Sequence, residues 1–222
     1  MGEQIALAYP IRIVFFDFGN VLSTFNYDLF LDQIAPGASM TREELGSSFN
    51  SASGELYKLR IAFESGWLRP TDFFRHFCKN IGRENIDYGA FAKAWTDIFT
   101  DVAGVSELWA RARPDVTPGL ISNTNAMHYD RYMCGHPFIH RNIAPQRRFL
   151  SYKVGVMKPD PSIFQTALDQ TDTAEREALL VDDLNANCDS FRALGGQAIK
   201  WDARKDPIEL LASTFASYGI CA

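Results

Sequence analysis

Three short apolar runs, each ending abruptly in oxygen-bearing side chains, constrain this chain more than any other feature. Residues 11–16 run into Asp17-Phe18-Gly19-Asn20, residues 119–121 into Ser122-Asn123-Thr124-Asn125, and residues 178–181 into Asp182-Asp183-Leu184-Asn185. Short β-branched and aromatic stretches bounded by polar turns read as buried strands. Residues 197–200, after Gly195-Gly196, add another, and the region around Phe149-Leu150 is a further candidate. Between them lie helical patterns. Asp160 as N-cap and Pro161 at the first helical position open one with Ile163, Phe164, Ala167 and Leu168 on one face. Residues 187–194 read as another, stopped by Gly195. Strands alternating with helices predict an α/β fold with a doubly wound, Rossmann-like parallel sheet, in which polar groups gather at the carboxyl ends of the strands.

One interval breaks the alternation. A parallel crossover needs roughly a dozen residues and a helix, yet the stretch from Leu22 to Gly119 is several times longer. Phe49, Leu56, Leu59 and Phe63, then Phe73, Phe74 and Phe77, then Phe91, Trp95, Ile98 and Phe99 recur near helical spacing. The pattern predicts an inserted helical cap subdomain over residues 23–99, with residues 1–22 and 100–222 forming the core.

Composition removes several function classes. With 46% hydrophobic and 22% charged residues the chain can bury a core, and its net charge of −5 gives no footprint for nucleic acid. No apolar run suits a membrane span or a signal peptide, so a cytoplasmic location is expected. Cys78, Cys134, Cys188 and Cys221 are scattered and fit reduced thiols better than a disulfide framework or zinc site. Met1-Gly2 resembles a myristoylation start, but Ala6 stands where that signal needs Ser or Thr. Oligomeric state is not readable.

The strand ends carry chemistry. Asp17 closes an apolar strand beside Gly19, where backbone can approach a ligand closely, although a strand-end Asp also makes an Asx turn. Asp182 and Asp183 are adjacent carboxylates that repel unless a cation or hydrogen bonds relieve them, which points to magnesium; Asn187 is placed to orient the pair. The alternative is that Asp183 only caps the next helix. Lys158, in a loop stiffened by Pro159 and Pro161, is a positioned cation or an ordinary solvated lysine. Ser122 offers a hydroxyl, with a backbone N–H beside it, to a phosphoryl oxygen or to a turn. Together these residues make a set for magnesium-dependent phosphoryl transfer to a carboxylate. His136 and His140 share helical spacing, but Pro137 between them and the lack of an acidic neighbour argue against a metal site.

Four motifs in this order resemble the haloacid dehalogenase-like hydrolase superfamily: Phe15-Phe16-Asp17-Phe18-Gly19-Asn20-Val21-Leu22, Ile121-Ser122-Asn123-Thr124-Asn125, Lys158-Pro159-Asp160, and Leu180-Val181-Asp182-Asp183 through Asn187. The branch most similar includes bacterial alpha-glucose-1-phosphate phosphatase and the phosphatase domain of soluble epoxide hydrolases, with which Glu64-Ser65-Gly66 ahead of Phe73-Phe74 also agrees. The resemblance implies a magnesium-dependent phosphomonoester hydrolase acting on a small phosphorylated metabolite, a sugar phosphate among the candidates. Asp17 would be the nucleophile that forms an aspartyl-phosphate. Ser122, Asn123 and Lys158 would hold the phosphoryl group. Magnesium would sit among Asp17, the Gly19 carbonyl and Asp183, with Asp182 and Asn187 behind them.

Gly19 departs from the superfamily's pattern, in which a second Asp two residues after the nucleophile serves as acid/base. Without it, leaving-group basicity is expected to govern the rate, unless Glu64 or His76 of the insert, or a bound water, supplies the proton. Arg60 and Trp67 are expected to face the crevice. Two other classes compete. A receiver domain uses similar groups but places its acidic pair first in the chain, and a silent phosphate-ligand or protein-binding module would keep the fold without the chemistry. A dehalogenase would not need the acidic pair.

Overall fold

The computed structural model describes residues 10–221. Met1-Gly2 and Ala6 lie outside the described residues. Strands β1 (Ile13–Phe16), β4 (Thr117–Ser122), β5 (Arg148–Leu150), β6 (Ala178–Asp182) and β7 (Gln197–Lys200) form one sheet, while β2 (Ser23–Phe25) and β3 (Phe99–Asp101) pair as a separate antiparallel ribbon. The sheet order is β5-β4-β1-β6-β7, and every pairing is parallel. The first strand is therefore central, with the chain winding to one side through β4 and to the other through β6. That reversal opens a crevice at the carboxyl end of β1.

The strands read as unbroken apolar runs because both faces of the sheet are buried. Val14, Phe16, Leu120, Leu150, Leu179, Val181 and Ile199 belong to one cluster. Ile13, Phe15, Ile121, Phe149, Ala178, Leu180 and Ala198 belong to another. Neighbouring residues of a strand point to opposite faces, so each cluster takes alternate positions. Helices α6 (Val105–Trp109), α8 (Pro137–Asn142) and α12 (Ile208–Ser217) contribute to the first cluster, and α10 (Pro161–Gln170) and α11 (Asn185–Ala193) to the second. Asp160 caps α10 by accepting from Ser162 N, with Pro161 at the start of the helix. Helix α11 begins at Asn185 rather than at the expected Asn187, and it carries no side-chain cap, so Asp183 is not its N-cap.

Five helices lie between the two strands of the ribbon: α1 (Tyr27–Ile34), α2 (Arg42–Asn50), α3 (Glu55–Glu64), α4 (Pro70–Asn80) and α5 (Tyr88–Thr96). They bury an aromatic cluster of their own, including Phe30, Phe49, Phe63, Phe73, Phe91 and Trp95. Phe63 and Phe73 stack with centroids 4.4 Å apart. Thr41 and Glu44 close a capping box on α2, Pro70 opens α4, and Asp87 caps α5.

Two seams join this bundle to the sheet domain. His128, on α7 (Ala126–Arg131), stacks on Trp95 at 5.0 Å, and its Nε2 lies 3.0 Å from the Trp95 carbonyl. Ser151, at the start of α9 (Ser151–Val154), places its Oγ 2.6 Å from the Glu64 carbonyl. All four cysteines are free thiols. No helix among the described residues is long and apolar enough to cross a membrane.

Candidate active site

The loops after β1, β4 and β6 and the loop before α10 converge on a cleft of about 750 Å³ whose opposite wall comes from α1 and α3. At its floor, Lys158 Nζ lies 2.9 Å from Asp17 Oδ1 and 2.6 Å from Asp182 Oδ2, with all three residues buried. One ammonium thus ties the end of β1 to the end of β6. The end of β4 takes part as well: the Asn123 side-chain amide donates to the Lys158 carbonyl at 2.8 Å and accepts from its N–H at 2.7 Å.

The two adjacent aspartates differ in what they have left to offer. Asp182 is saturated. Its Oδ1 accepts from Asn187 Nδ2 at 2.8 Å and Leu184 N at 3.0 Å, and its Oδ2 accepts from Lys158. Asp183, among the described residues, takes one hydrogen bond, from Asn20 Nδ2 at 2.9 Å, and meets Arg204 Nη2 at 3.7 Å. Asp17, Asp182 and Asp183 each bring a carboxylate oxygen to within 4.8 Å of the others. Three buried carboxylates around one lysine leave an excess of negative charge, which suits a hard divalent cation held through oxygen. Asn20 Oδ1 is also buried, with no hydrogen-bond partner among the described residues. The donor set fits magnesium, and Asp17 and Asp183 are the members with oxygens to give.

The charges respond to this crowding. Burial raises the Asp17 pKa to about 7; Lys158 pulls it down, while Asp182 and Asp183 push it up. Burial also works against the Lys158 ammonium, but Asp17 and Asp182 outweigh it and the net shift is upward. Asp183 is raised, chiefly by burial.

Of the residues singled out in the sequence, Asp17, Gly19, Ser122, Asn123, Lys158, Asp183 and Asn187 line the cleft, and Asp182 lies just behind it. The Asn123 side chain is engaged with the lysine peptide, so it positions Lys158 and leaves only its backbone to meet an anion. On the opposite wall, Arg60 and Glu64 line the cleft. Trp67 and His76 do not. Trp67 is 75% exposed and His76 is exposed on α4, because a helical repeat cannot tell an outward face turned to a cleft from one turned to bulk water. His136 is buried beside Asp101, whereas His140 is exposed, so the two form no metal pair.

Several participants carried no sequence signal of a role. Asn20 takes a left-handed φ of 56°, which asparagine tolerates better than most residues, and this aims its amide at Asp183. Arg204 arrives from the loop after β7, held by Asp202 at 2.9 Å. The Phe25 ring occupies the space beside Gly19: a Cβ there would lie 2.9 Å from Phe25 Cε1.

No protein-family model and no curated protein matches the chain. Solved structures do. A HAD family enzyme from Bacteroides thetaiotaomicron superposes with a TM-score of 0.77 at 21% identity, over 91% of this chain and 99% of its own. That enzyme in complex with magnesium and inorganic phosphate gives 0.74 at 21% identity, covering 90% of this chain and 98% of its own. A 2-haloacid dehalogenase from Pseudomonas syringae gives 0.58 at 18% identity, covering 89% of each chain. The chain has the fold of the haloacid dehalogenase-like hydrolases, as its four motifs led us to expect.

Proposed function

We propose that this chain is a magnesium-dependent phosphomonoester hydrolase acting on a small phosphorylated molecule in the cytoplasm. The observation that carries the reading is the Lys158 ammonium bound at once to Asp17 and Asp182, with Asp183 alongside, at the ends of adjacent parallel strands. Asp17 attacks phosphorus: a bond forms from its Oδ to phosphorus as the bond to the leaving oxygen breaks, giving an aspartyl-phosphate. Water then displaces phosphate and restores the carboxylate. The Ser122 hydroxyl and the Asn123 N–H receive the transferring oxygens, and Lys158 orients Asp17 and offsets phosphoryl charge. Asp17, Asp183 and the Gly19 carbonyl would hold magnesium, which would supply positive charge to offset the phosphoryl oxygens. Asp182 and Asn187 hold the lysine and the loop in place.

In this reading residues 23–99 form a cap that shapes access to a core of residues 1–22 and 100–222. The insert's own aromatic cluster and the position of Arg60 and Glu64 on the cleft wall support that division. The solved complex of the Bacteroides enzyme with magnesium and phosphate supports the choice of ligand. The test is phosphate release by the purified protein from a panel of phosphorylated metabolites, with and without magnesium. Asp17→Asn abolishes release. Undiminished turnover in excess chelator, or full activity in that variant, overturns the proposal.

A further inference from the structure

Gly19 leaves the reaction proposed above without a proton donor next to its nucleophile, and the Phe25 ring fills the space a donor side chain would enter there. A side-chain donor has to come from another part of the cleft wall, where few of the described residues can give a proton. Asp17 and Asp183 have other roles in that reading. Lys158 is locked between two carboxylates. Asp160 accepts from Ser162 as the cap of α10, and its pKa is lowered by those bonds. His128 has both ring nitrogens engaged, by Asn125 and by the Trp95 carbonyl. Arginine side chains stay protonated, and phenols are far weaker acids than carboxyls. Glu64 remains.

Its surroundings suit the task. Glu64 lines the same cleft as Asp17 and is 5% exposed. Its Oε1 lies 3.4 Å from Tyr27 Oη and 3.6 Å from Arg60 Nη1, so both contacts fall on one oxygen and Oε2 makes none among the described residues. Arg60 is itself held among the rings of Tyr27, Phe49 and Tyr57, with its guanidinium 5.1 to 5.5 Å from their centroids. The backbone is fixed too. The Glu64 carbonyl meets Ser151 Oγ at 2.6 Å, and Gly66 packs so closely on Tyr152 that a Cβ would lie 2.2 Å from its carbonyl oxygen. Burial raises the Glu64 pKa above the ordinary carboxyl range, against the opposing pull of Arg60 and Tyr27.

We infer that Glu64, pinned by Ser151 over the cleft, is the general acid and base of this reaction. The inference rests on the phosphatase reading. As the bond between phosphorus and the leaving oxygen breaks, the Glu64 carboxyl gives its proton to that oxygen, and the product leaves as a neutral alcohol. The resulting carboxylate then takes a proton from the water that attacks the aspartyl-phosphate, so inorganic phosphate is released and both carboxyl groups return to their starting states.

The test compares 4-nitrophenyl phosphate, whose leaving group departs without a proton, with ethyl phosphate, whose leaving group needs one, in magnesium buffer. Glu64→Gln slows ethyl phosphate hydrolysis by about 100-fold or more. With the aryl ester the variant gives a stoichiometric burst of 4-nitrophenolate and then turns over slowly, because the second step lacks its base. No loss, or equal losses on both esters without a burst, overturns the inference. A leaving-group series on the wild type needs no variant: a shallow dependence of rate on leaving-group pKa supports the donor, and a steep one refutes it. Phosphate release from neither ester by the wild type overturns the phosphatase reading and this inference together. Wild-type turnover combined with either adverse result removes Glu64 alone.

Discussion

The Asn123 amide and the Lys158 peptide hold each other by two reciprocal hydrogen bonds, 2.8 and 2.7 Å long, so the loop after β4 sets where the lysine ammonium lies. Asn123→Ala breaks both. The variant is expected to lose about 1–3 kcal/mol of stability from unsatisfied backbone groups. Its kcat on any accepted phosphate ester falls more than tenfold, since a small misplacement of a positioning group is costly. Denaturant midpoints and steady-state rates check both expectations.

Lys158→Met leaves Asp17 and Asp182 buried without their shared cation. Breaking a buried pair in this way costs about 3–5 kcal/mol. Added magnesium recovers part of that stability, because it restores positive charge among the carboxylates, but it restores no activity. Urea unfolding with and without magnesium, beside a phosphate-release assay, shows whether the two effects separate.

Gly19→Asp, intended to return the missing carboxylate, is expected to destabilise the protein by about 1–3 kcal/mol through overpacking against Phe25. Combining it with Phe25→Leu makes room and returns most of the loss. A thermal melt of the two variants and the double variant tests this coupling, and additive changes would show that Phe25 is not the obstacle.

His128 carries the pH dependence of the seam with Trp95. Burial lowers its pKa to about 3, with the Arg60 charge acting in the same direction and the Trp95 carbonyl opposing. An unfolded histidine takes up a proton below about 6.5, whereas the folded one waits until about 3. The unfolded state therefore gains protons preferentially within that window, and stability contributed by this residue is complete above it and lost as pH falls through it. The wild type should lose up to about 1.4 kcal/mol more per pH unit there than His128→Phe, which keeps the stacking and removes the titration. Equal slopes in urea titrations at pH 7, 5 and 4 would refute it.

Much of the candidate site is legible in the sequence because a buried parallel sheet leaves a plain trace. Runs such as residues 178–181 have no polar face to interrupt them, so the first polar residue marks the strand's end. Asp17, Ser122 and Asp182 stand out that way. The ribbon of Ser23–Phe25 with Phe99–Asp101 left no such trace, since three residues on each side are too few to show a period of two. Helix α1 lies within the expected helical insert, but its start is unmarked for a related reason: its cap, Asn26, follows the ribbon directly. Partners set by tertiary contact, such as Asn20 with Asp183 or Ser151 with Glu64, lie 163 and 87 positions apart in the chain, and no local pattern links them.

The two seams under the helical bundle also bear on how molecules come and go. A lid on a single hinge admits whatever its swing allows. A roof fastened at Trp95 and again at Glu64 swings away from the sheet only by giving up both buried contacts, so a rigid-body opening would cost more than one on a single hinge. In the proposed reading, the volume beneath the roof would then set an upper size for whatever reaches Asp17, before any side chain selects among the rest.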